Sequence, residues 1–330
     1  MSTNKLVSIL IRSSNRKLIT RALASVANQD YDHIEIIVLN TTGLEHSALE
    51  RQYGKFSVEL VNSTKKLNRP EAANKLTELA KGDYLLFLDD DDWIKENHIS
   101  KLVINIEANK DCVLAYTETE LVNASGQIIN KYSFNLPAQA IIVANFLPIH
   151  SVLFKREILK QCRFDTSFDL YEDWDFWIQA SRLGDFVFVP EVSAYYYLGN
   201  DNSSIQQYNV ASKARLLVLR KWASLWNDDD LTYLSEQAES ARQLKSLTEY
   251  NLALKTQLKS LTEYNLALKT QLSHTESQLK KMIKIQQDLS QQHQDLAQLY
   301  SKTHSLYLKE KLKKEPIHIK ILNFISKKLS

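Results

Sequence analysis

The sequence predicts an α/β fold, with a mostly parallel sheet flanked by helices, followed by a long α-helical coiled coil. Three observations carry this. Through about residue 227, short apolar runs alternate with segments whose apolar residues recur at helical spacing. From about Asp228 to Glu315 the chain contains no Gly and no Pro, the residues that most often break helices. Within that second region Lys245–Leu258 reads KSLTEYNLALKTQL, and Lys259–Leu272 repeats it letter for letter.

In the first region Val7–Ile11 is a short continuous apolar run, as a buried parallel strand requires. Leu18, Ala22, Leu23 and Val26 mark one face of a helix, Ile34–Leu39 a second strand and Val58–Val61 a third. Pro70 suits the first turn of a helix running through Leu79, which Gly82 ends. Tyr84–Leu88 is the most apolar strand and leads directly into Asp89-Asp90-Asp91-Asp92. A helix over Asn97–Ala108 and a strand over Cys112–Tyr116 follow. Strand–helix–strand alternation with short links implies a largely parallel sheet covered on both faces. Ligands of such sheets bind at the carboxyl ends of the strands, where the Asp run sits.

The repeat is two heptads long, so its period argues for a coiled coil. One register places Leu244, Asn251, Leu258, Asn265, Leu272 and Leu279 at a, with Leu247, Leu254, Leu261, Leu268 and Met282 at d. Asn at a penalises slipped registers and favours a parallel dimer, so a homo-oligomer through the coiled coil is expected. Thr275, Gln286 and His293 weaken the seam further on. The competing reading is a single helix folded back on the first domain.

Composition narrows the function classes. The chain has 330 residues, 44% of them hydrophobic, and a net charge of +2. That gives no global field for nucleic acid. Cys112 and Cys162 fit no metal or redox spacing and read as reduced core thiols. No stretch resembles a signal peptide or reaches the about 20 apolar residues of a membrane span, so a cytoplasmic location is expected. Lys302–Ser330 carries eight Lys and two Glu, with Ile317, Ile319, Ile321, Leu322, Phe324 and Ile325 after Pro316. This end reads equally as an amphipathic segment for an anionic membrane surface or as a solvated tail.

Four consecutive carboxylates repel one another by roughly 1 kcal/mol per close pair even in water. A hard divalent cation such as Mg²⁺ or Mn²⁺ would compensate them. The alternative is a solvated acidic turn, with Asp92 capping a helix that begins near Trp93. Further along, Tyr171–Ser181 reads as a helix opened by Glu172 and Asp173. Those acids fit either chemistry or complementation of the helix dipole. Trp174 and Trp177 fit sugar stacking or core packing.

The ordered set of segments resembles a known family. GDYLLFLDDDDWIKENHI (Gly82–Ile99) resembles the metal-binding aspartate (DXD) motif of the family 2 glycosyltransferases, which have the GT-A fold. Val7–Asn40 is similar to that family's first strand, helix and second strand. Arg69–Gly82 is similar to the helix before its metal site, and Phe164–Gly184 to its catalytic-base segment. The resemblance covers roughly residues 5–200. It implies an enzyme that moves a sugar from a nucleoside diphosphate, UDP or dTDP, to a hydroxyl of a glycan, lipid-linked or protein acceptor, with inversion. Such enzymes serve cell-surface polysaccharide, lipopolysaccharide or glycoprotein assembly.

By the same resemblance Asp173 is the general base. Arg69 contacts the diphosphate, Asp89 and Asp90 touch the ribose or the metal, and Asp91 is the ligand of a divalent cation, Mn or Mg. Ser13 and Asn40 fall where the nucleoside is held. His150, Glu172, Trp174 and Trp177 are candidates for the acceptor side, and Tyr195–Ser204 for a polar loop closing the site. The implied organisation is a GT-A-like domain over 1–227, a coiled-coil helix over 228–308 and a basic amphipathic tail over 309–330. Two departures stand out. Arg12 replaces the family's usual Pro, and Asn40-Thr41-Thr42-Gly43 replaces an Asp-Asp-Gly-Ser-like turn that reads the nucleobase. These leave a catalytically degenerate nucleotide-binding or assembly protein, working through its coiled coil, as the alternative. A sugar nucleotidyltransferase is disfavoured, because RSSNRK after the first strand lacks the Gly-rich phosphate loop.

Overall fold

The structure, a computed structural model, describes residues 5–199, 208–271 and 276–314. The chain forms two compact units, Met1–Leu231 and Thr232–Ser330.

The first unit opens with β1 (Val7–Ser13), α1 (Ile19–Ala27) and β2 (Ile34–Asn40). Every residue of β1 is buried, and α1 buries Ile19, Ala22, Leu23 and Val26 along one stripe. A short β3 (Gln52–Tyr53) precedes β4 (Phe56–Asn62) and α2 (Arg69–Leu79). Asn68 and Glu71 form a reciprocal capping box at the start of α2, with Pro70 in its first turn. Then come β5 (Tyr84–Asp89), a two-residue β6 (Trp93–Ile94), α3 (His98–Ala108) and β7 (Cys112–Asn123). Trp93 thus enters a strand, and the next helix starts five residues later. β8 (Ile128–Tyr132), β9 (Val152–Lys155), α4 (Glu172–Ala180), β10 (Asp185–Leu198) and α5 (Tyr208–Ala223) complete the unit.

The strands lie in the order β3-β4-β2-β1-β5-β9-β7-β10-β6, with β8 on β7. The pairs β4–β2, β2–β1 and β1–β5 are parallel, as expected. Beyond β5 the pair β7–β10 is again parallel, but antiparallel strands enter. There β9 inserts antiparallel between β5 and β7, and β6 and β8 also pair antiparallel. The sheet is mixed, and the sequence run that hides this is Val152–Lys155, too short to show a period. Tyr195–Leu198, expected in a closing loop, belong to β10, where they pair with Glu120–Asn123 of β7. Residues 200–204 of that expected loop lie outside the described residues.

Register determines what meets at the site. Arg12 lies opposite Asp89, and Ser13 opposite Asn40. Three parallel strands therefore end at one level, below the Asp run. Cys112 and Cys162 are buried free thiols. Burial pushes them up to about 11 and about 12, so neither is a thiolate nucleophile at neutral pH.

The first unit extends past the expected boundary at 227. Asn227 and Asp230 cap one another's backbone N–H groups, and buried Asp230 pairs with Arg182 at 2.7 Å. A chain ending at Leu231 is expected to be more stable to urea than one ending at Asn227. The difference should be about 2 kcal/mol, the scale of a charged hydrogen bond plus a cap.

α6 (Asp228–Gln271) and α7 (Glu276–Lys314) follow. On α6 Leu244, Leu247, Asn251, Leu254 and Leu258 are half-buried while most residues between them are exposed, a stripe of heptad spacing. On α7 the half-buried residues include Met282, Gln286, Leu289, His293, Leu296 and Tyr300, so the stripe continues through Gln286 and His293. Leu261 of α6 and Leu289, His293 and Leu296 of α7 line one cleft. At that point the seam of one helix meets the seam of the other within a single chain. Seam residues Leu272 and Thr275, and residues 315–330 of the basic tail, lie outside the described residues. Among the described residues no helix is long and apolar enough to cross a membrane.

Candidate active site

The four aspartates prove to be four different groups. Asp89 accepts two hydrogen bonds from Arg12, Nε at 2.8 Å and Nη2 at 3.0 Å, and one from Arg69 Nη2 at 3.2 Å. Burial opposes its charge, yet the two guanidinium groups hold its carboxyl at about 2. Asp90 is buried and accepts from the backbone N–H of Ser14 at 2.7 Å and its hydroxyl at 3.1 Å. Asp92 is fully buried. Its Oδ1 accepts from the Tyr197 N–H at 2.8 Å, and its Oδ2 lies 3.0 Å from His150 Nδ1. These three carboxylates tie the end of β5 to β1, α2, β10 and the turn at Ile149–Ser151.

Asp91 differs. Its carboxylate pairs with Arg16, whose side chain is 53% exposed. Its carbonyl accepts from Arg21 Nη2 at 2.5 Å, and Arg21 is clamped over the Trp93 ring at 3.9 Å and the Tyr197 ring at 4.8 Å. Burial, then Asp92 and Asp89, pushes the Asp91 carboxyl up to about 7. Negative charge at Asp91 is thus under-compensated, and its one side-chain cation is on a solvated arm. The site fits a divalent cation there on that ground. Among the described residues no three His, Cys, Asp or Glu side chains converge on one metal position. A divalent cation at this point would be held by the Asp91 carboxylate alone among the described side chains, which suits Mg²⁺, an ion that ordinarily takes few protein ligands.

Arg12 and Arg69 share a second carboxylate. Glu172 Oε1 accepts from Arg12 Nη1 at 2.9 Å and Arg69 Nε at 2.7 Å. Arg12, Asp89, Arg69 and Glu172 form a closed ring of alternating charge that joins β1, β5, α2 and α4. Glu172 is buried. Burial works against its charge, but Arg69 and Arg12 bring its carboxyl below the ordinary value. It is consumed in this ring, not offered to an acceptor.

The next residue, Asp173, is only half-buried. Its Oδ1 accepts from the Trp174 N–H at 2.8 Å and its Oδ2 from Asn145 Nδ2 at 3.1 Å. Burial and the adjacent Glu172 charge raise its carboxyl above the usual range. Tyr171 precedes the pair in the left-handed region, φ 63° and ψ 25°. An L-residue there costs roughly 1 kcal/mol, borne by packing that includes an edge contact with Trp174, ring centres 5.6 Å apart. This turn sets Glu172 inward and leaves Asp173 accessible.

Several expected contacts are corrected by burial. Trp174 and Trp177 are 1% and 0% exposed. Trp174 donates its indole N–H to the Ile141 carbonyl at 2.6 Å, and Trp177 packs on Phe154 and Phe176. Neither is a surface for a sugar. His150 is 1% exposed and stacked on Tyr196, so it supports Asp92 and does not face an acceptor. Asn40 spends its side chain on its own loop, donating to the Leu44 carbonyl and Asn62 Oδ1 and accepting from Thr42. Ser13 is buried, with its Oγ 2.8 Å from His46 Nε2. Both build strand ends.

Arg12, Arg21, Asn145 and His46 were not foreseen as site residues. Arg12 left a signal, being a lone cation closing an otherwise apolar buried strand; such a charge requires partners. His46 and Asn145 come from segments with no local pattern, and Arg21 from α1, whose stripe does not reveal what Arg21 meets.

Residues 8–162 match the family model described as glycosyl transferase family 2. The first unit thus carries a glycosyl transferase family 2 domain over residues 8–162. Asp173 and α4 lie beyond the matched stretch. An uncharacterized glycosyltransferase of Methanocaldococcus jannaschii is 27% identical over 187 residues, 53% of this chain and 64% of that protein. The chain thus spans less than two thirds of that relative. The amylovoran biosynthesis glycosyltransferase of Erwinia amylovora is 25% identical over 203 residues, 56% of this chain and 67% of its own length. The crystal structure of S. aureus TarS 1–349 in complex with UDP-GlcNAc superposes with a TM-score of 0.50. It is 16% identical and covers 63% of this chain and 65% of that one; this is a likeness of fold.

Proposed function

We propose that the chain transfers a sugar from a nucleoside diphosphate to an acceptor hydroxyl with inversion, in assembly of a cell-surface glycan. The observation that carries this reading is the division of labour between Asp91 and Asp173. One is an under-compensated carboxylate at the end of β5. The other is an accessible carboxylate with a raised pKa at the start of α4, and two arginines lie between their neighbours. Departure of a nucleoside diphosphate develops negative charge on the β-phosphate. Arg69, half-exposed at the start of α2, is the cation placed to receive it. A divalent cation at Asp91 supplies Lewis-acid stabilisation of the same charge when bound. Asp173 takes the acceptor's proton, while Asn145 and the Trp174 N–H hold its carboxylate in place. Attack on the face opposite the leaving group inverts the anomeric carbon.

The donor is a UDP or dTDP sugar in this reading, and the UDP-GlcNAc of the TarS complex puts UDP sugars first in a donor panel. The test is release of nucleoside diphosphate from that panel by the full chain with Mn²⁺. Asp91→Ala is expected to remove the Mn²⁺ dependence of nucleotide binding in calorimetry. The wild-type protein should gain at least about tenfold in affinity from the ion. Equal affinity with and without Mn²⁺ in the wild type would exclude the ion from the site. We also infer that the α6–α7 seams support a homo-oligomer and that the chain acts in the cytoplasm, with its basic end touching an anionic membrane surface. If the chain ending at Leu231 keeps the full chain's oligomeric state in ultracentrifugation, the seams are not the interface.

A further inference from the structure

Arg12 and Arg69 hold the same two carboxylates but differ in freedom. The Arg12 side chain is 6% exposed and that of Arg69 47%. Arg12 spends all three edges of its guanidinium, Nε and Nη2 on Asp89 and Nη1 on Glu172, at 2.8–3.0 Å. Arg69 makes one short bond to Glu172 and a 3.2 Å bond to Asp89. In the function proposed above Arg69 serves the donor's diphosphate, so it must loosen its hold on Asp89 and Glu172. A buried carboxylate stripped of its counter-ion is strongly unfavourable. Arg12 would remove that penalty, because it holds both carboxylates through bonds that do not involve Arg69.

We propose that Arg12 is a positioning residue, the standing counter-ion of Asp89 and Glu172 that frees Arg69 to exchange onto the diphosphate. The inference rests on the donor reading above. Only a planar guanidinium reaches both carboxylates with paired geometry, so Lys at this position supplies charge without the span. Arg12 acts on binding through Arg69, and a coupling between the two residues follows that a merely structural residue would not show.

The test uses the full chain, UDP and Mn²⁺, with affinities by calorimetry and folding checked by thermal melting. Arg12→Gln is expected to weaken UDP binding by about tenfold or more. In an Arg69→Gln background the same change should cost less than about twofold, because no exchange remains to be assisted. Adding Glu172→Gln to Arg12→Gln should recover part of the lost affinity, since Arg69 on leaving then strips only Asp89 of its counter-ion. If Arg12→Gln does not fold, Arg12→Lys is read in the same cycle, with a smaller loss expected. Unchanged UDP affinity in the Arg12 variants, equal losses in both backgrounds, or no recovery with Glu172→Gln would each overturn the proposal. Wild-type protein that binds none of UDP, dTDP, GDP and CDP would instead sink the donor reading on which it stands.

Discussion

Asp173→Asn is expected to lower the rate of sugar transfer by about 10²–10⁴-fold, the usual worth of a positioned general base, while donor affinity changes by less than about twofold. The amide keeps the size of the carboxylate and still accepts from the Trp174 N–H, giving up only the bond from Asn145 Nδ2, so folding should survive. The pH profile adds a second measurement. Burial and the Glu172 charge raise the Asp173 carboxyl, and the base works only when deprotonated. Activity should therefore fall as pH drops through that raised value, above the about 4 of an ordinary aspartate. Residual activity in the Asn variant should lose this limb. A variant that transfers sugar at the wild-type rate, or a wild-type profile flat down to pH 4, removes Asp173 from the mechanism.

Trp177→Ala is expected to cost about 3–5 kcal/mol of stability, the range for deleting a buried aromatic. Trp177→Phe should cost less than about 1.5 kcal/mol. The indole is 0% exposed against Phe154 and Phe176, and among the described residues its N–H has no hydrogen-bond partner. Phe retains the ring contacts and removes that buried donor, so the hydrogen bond gives no reason for a larger loss. Urea unfolding separates the two variants. A stable Trp177→Ala protein defective only in acceptor use would restore the stacking role that burial argues against.

The parallel half of the sheet was legible because each of its elements announces itself locally. Val7–Ile11 and Tyr84–Leu88 are apolar runs, α1 has a helical stripe, and Pro70 and Gly82 bracket α2. The strands beyond β5 were hidden. The antiparallel β6 has two residues and β9 four, and Tyr195–Leu198 has the composition of a loop until it pairs in parallel with β7. Burial of both Trp and of His150 was equally out of reach. A residue three or four places along a helix is a neighbour by rule, whereas Phe154 meets Trp177 only through the packing of β9 on α4.

The family resemblance, the α/β class, the Asp run at a strand end and the 14-residue repeat all follow from residue order, since each rests on spacing within a few turns or strands. The roles within the Asp run do not. Asp89, Asp90, Asp91 and Asp92 are identical in chemistry and adjacent in sequence. They become an ion-pair partner, a loop tie, an under-compensated carboxylate and a buried support because Arg12, Ser14, Arg16 and His150 arrive from other parts of the chain. Charge and burial are sums over neighbours in space, and those neighbours lie 58 to 77 residues away in the sequence. The same holds for Arg12. In sequence it was the residue that broke the family pattern, and in the folded chain it binds two of the site's carboxylates at once.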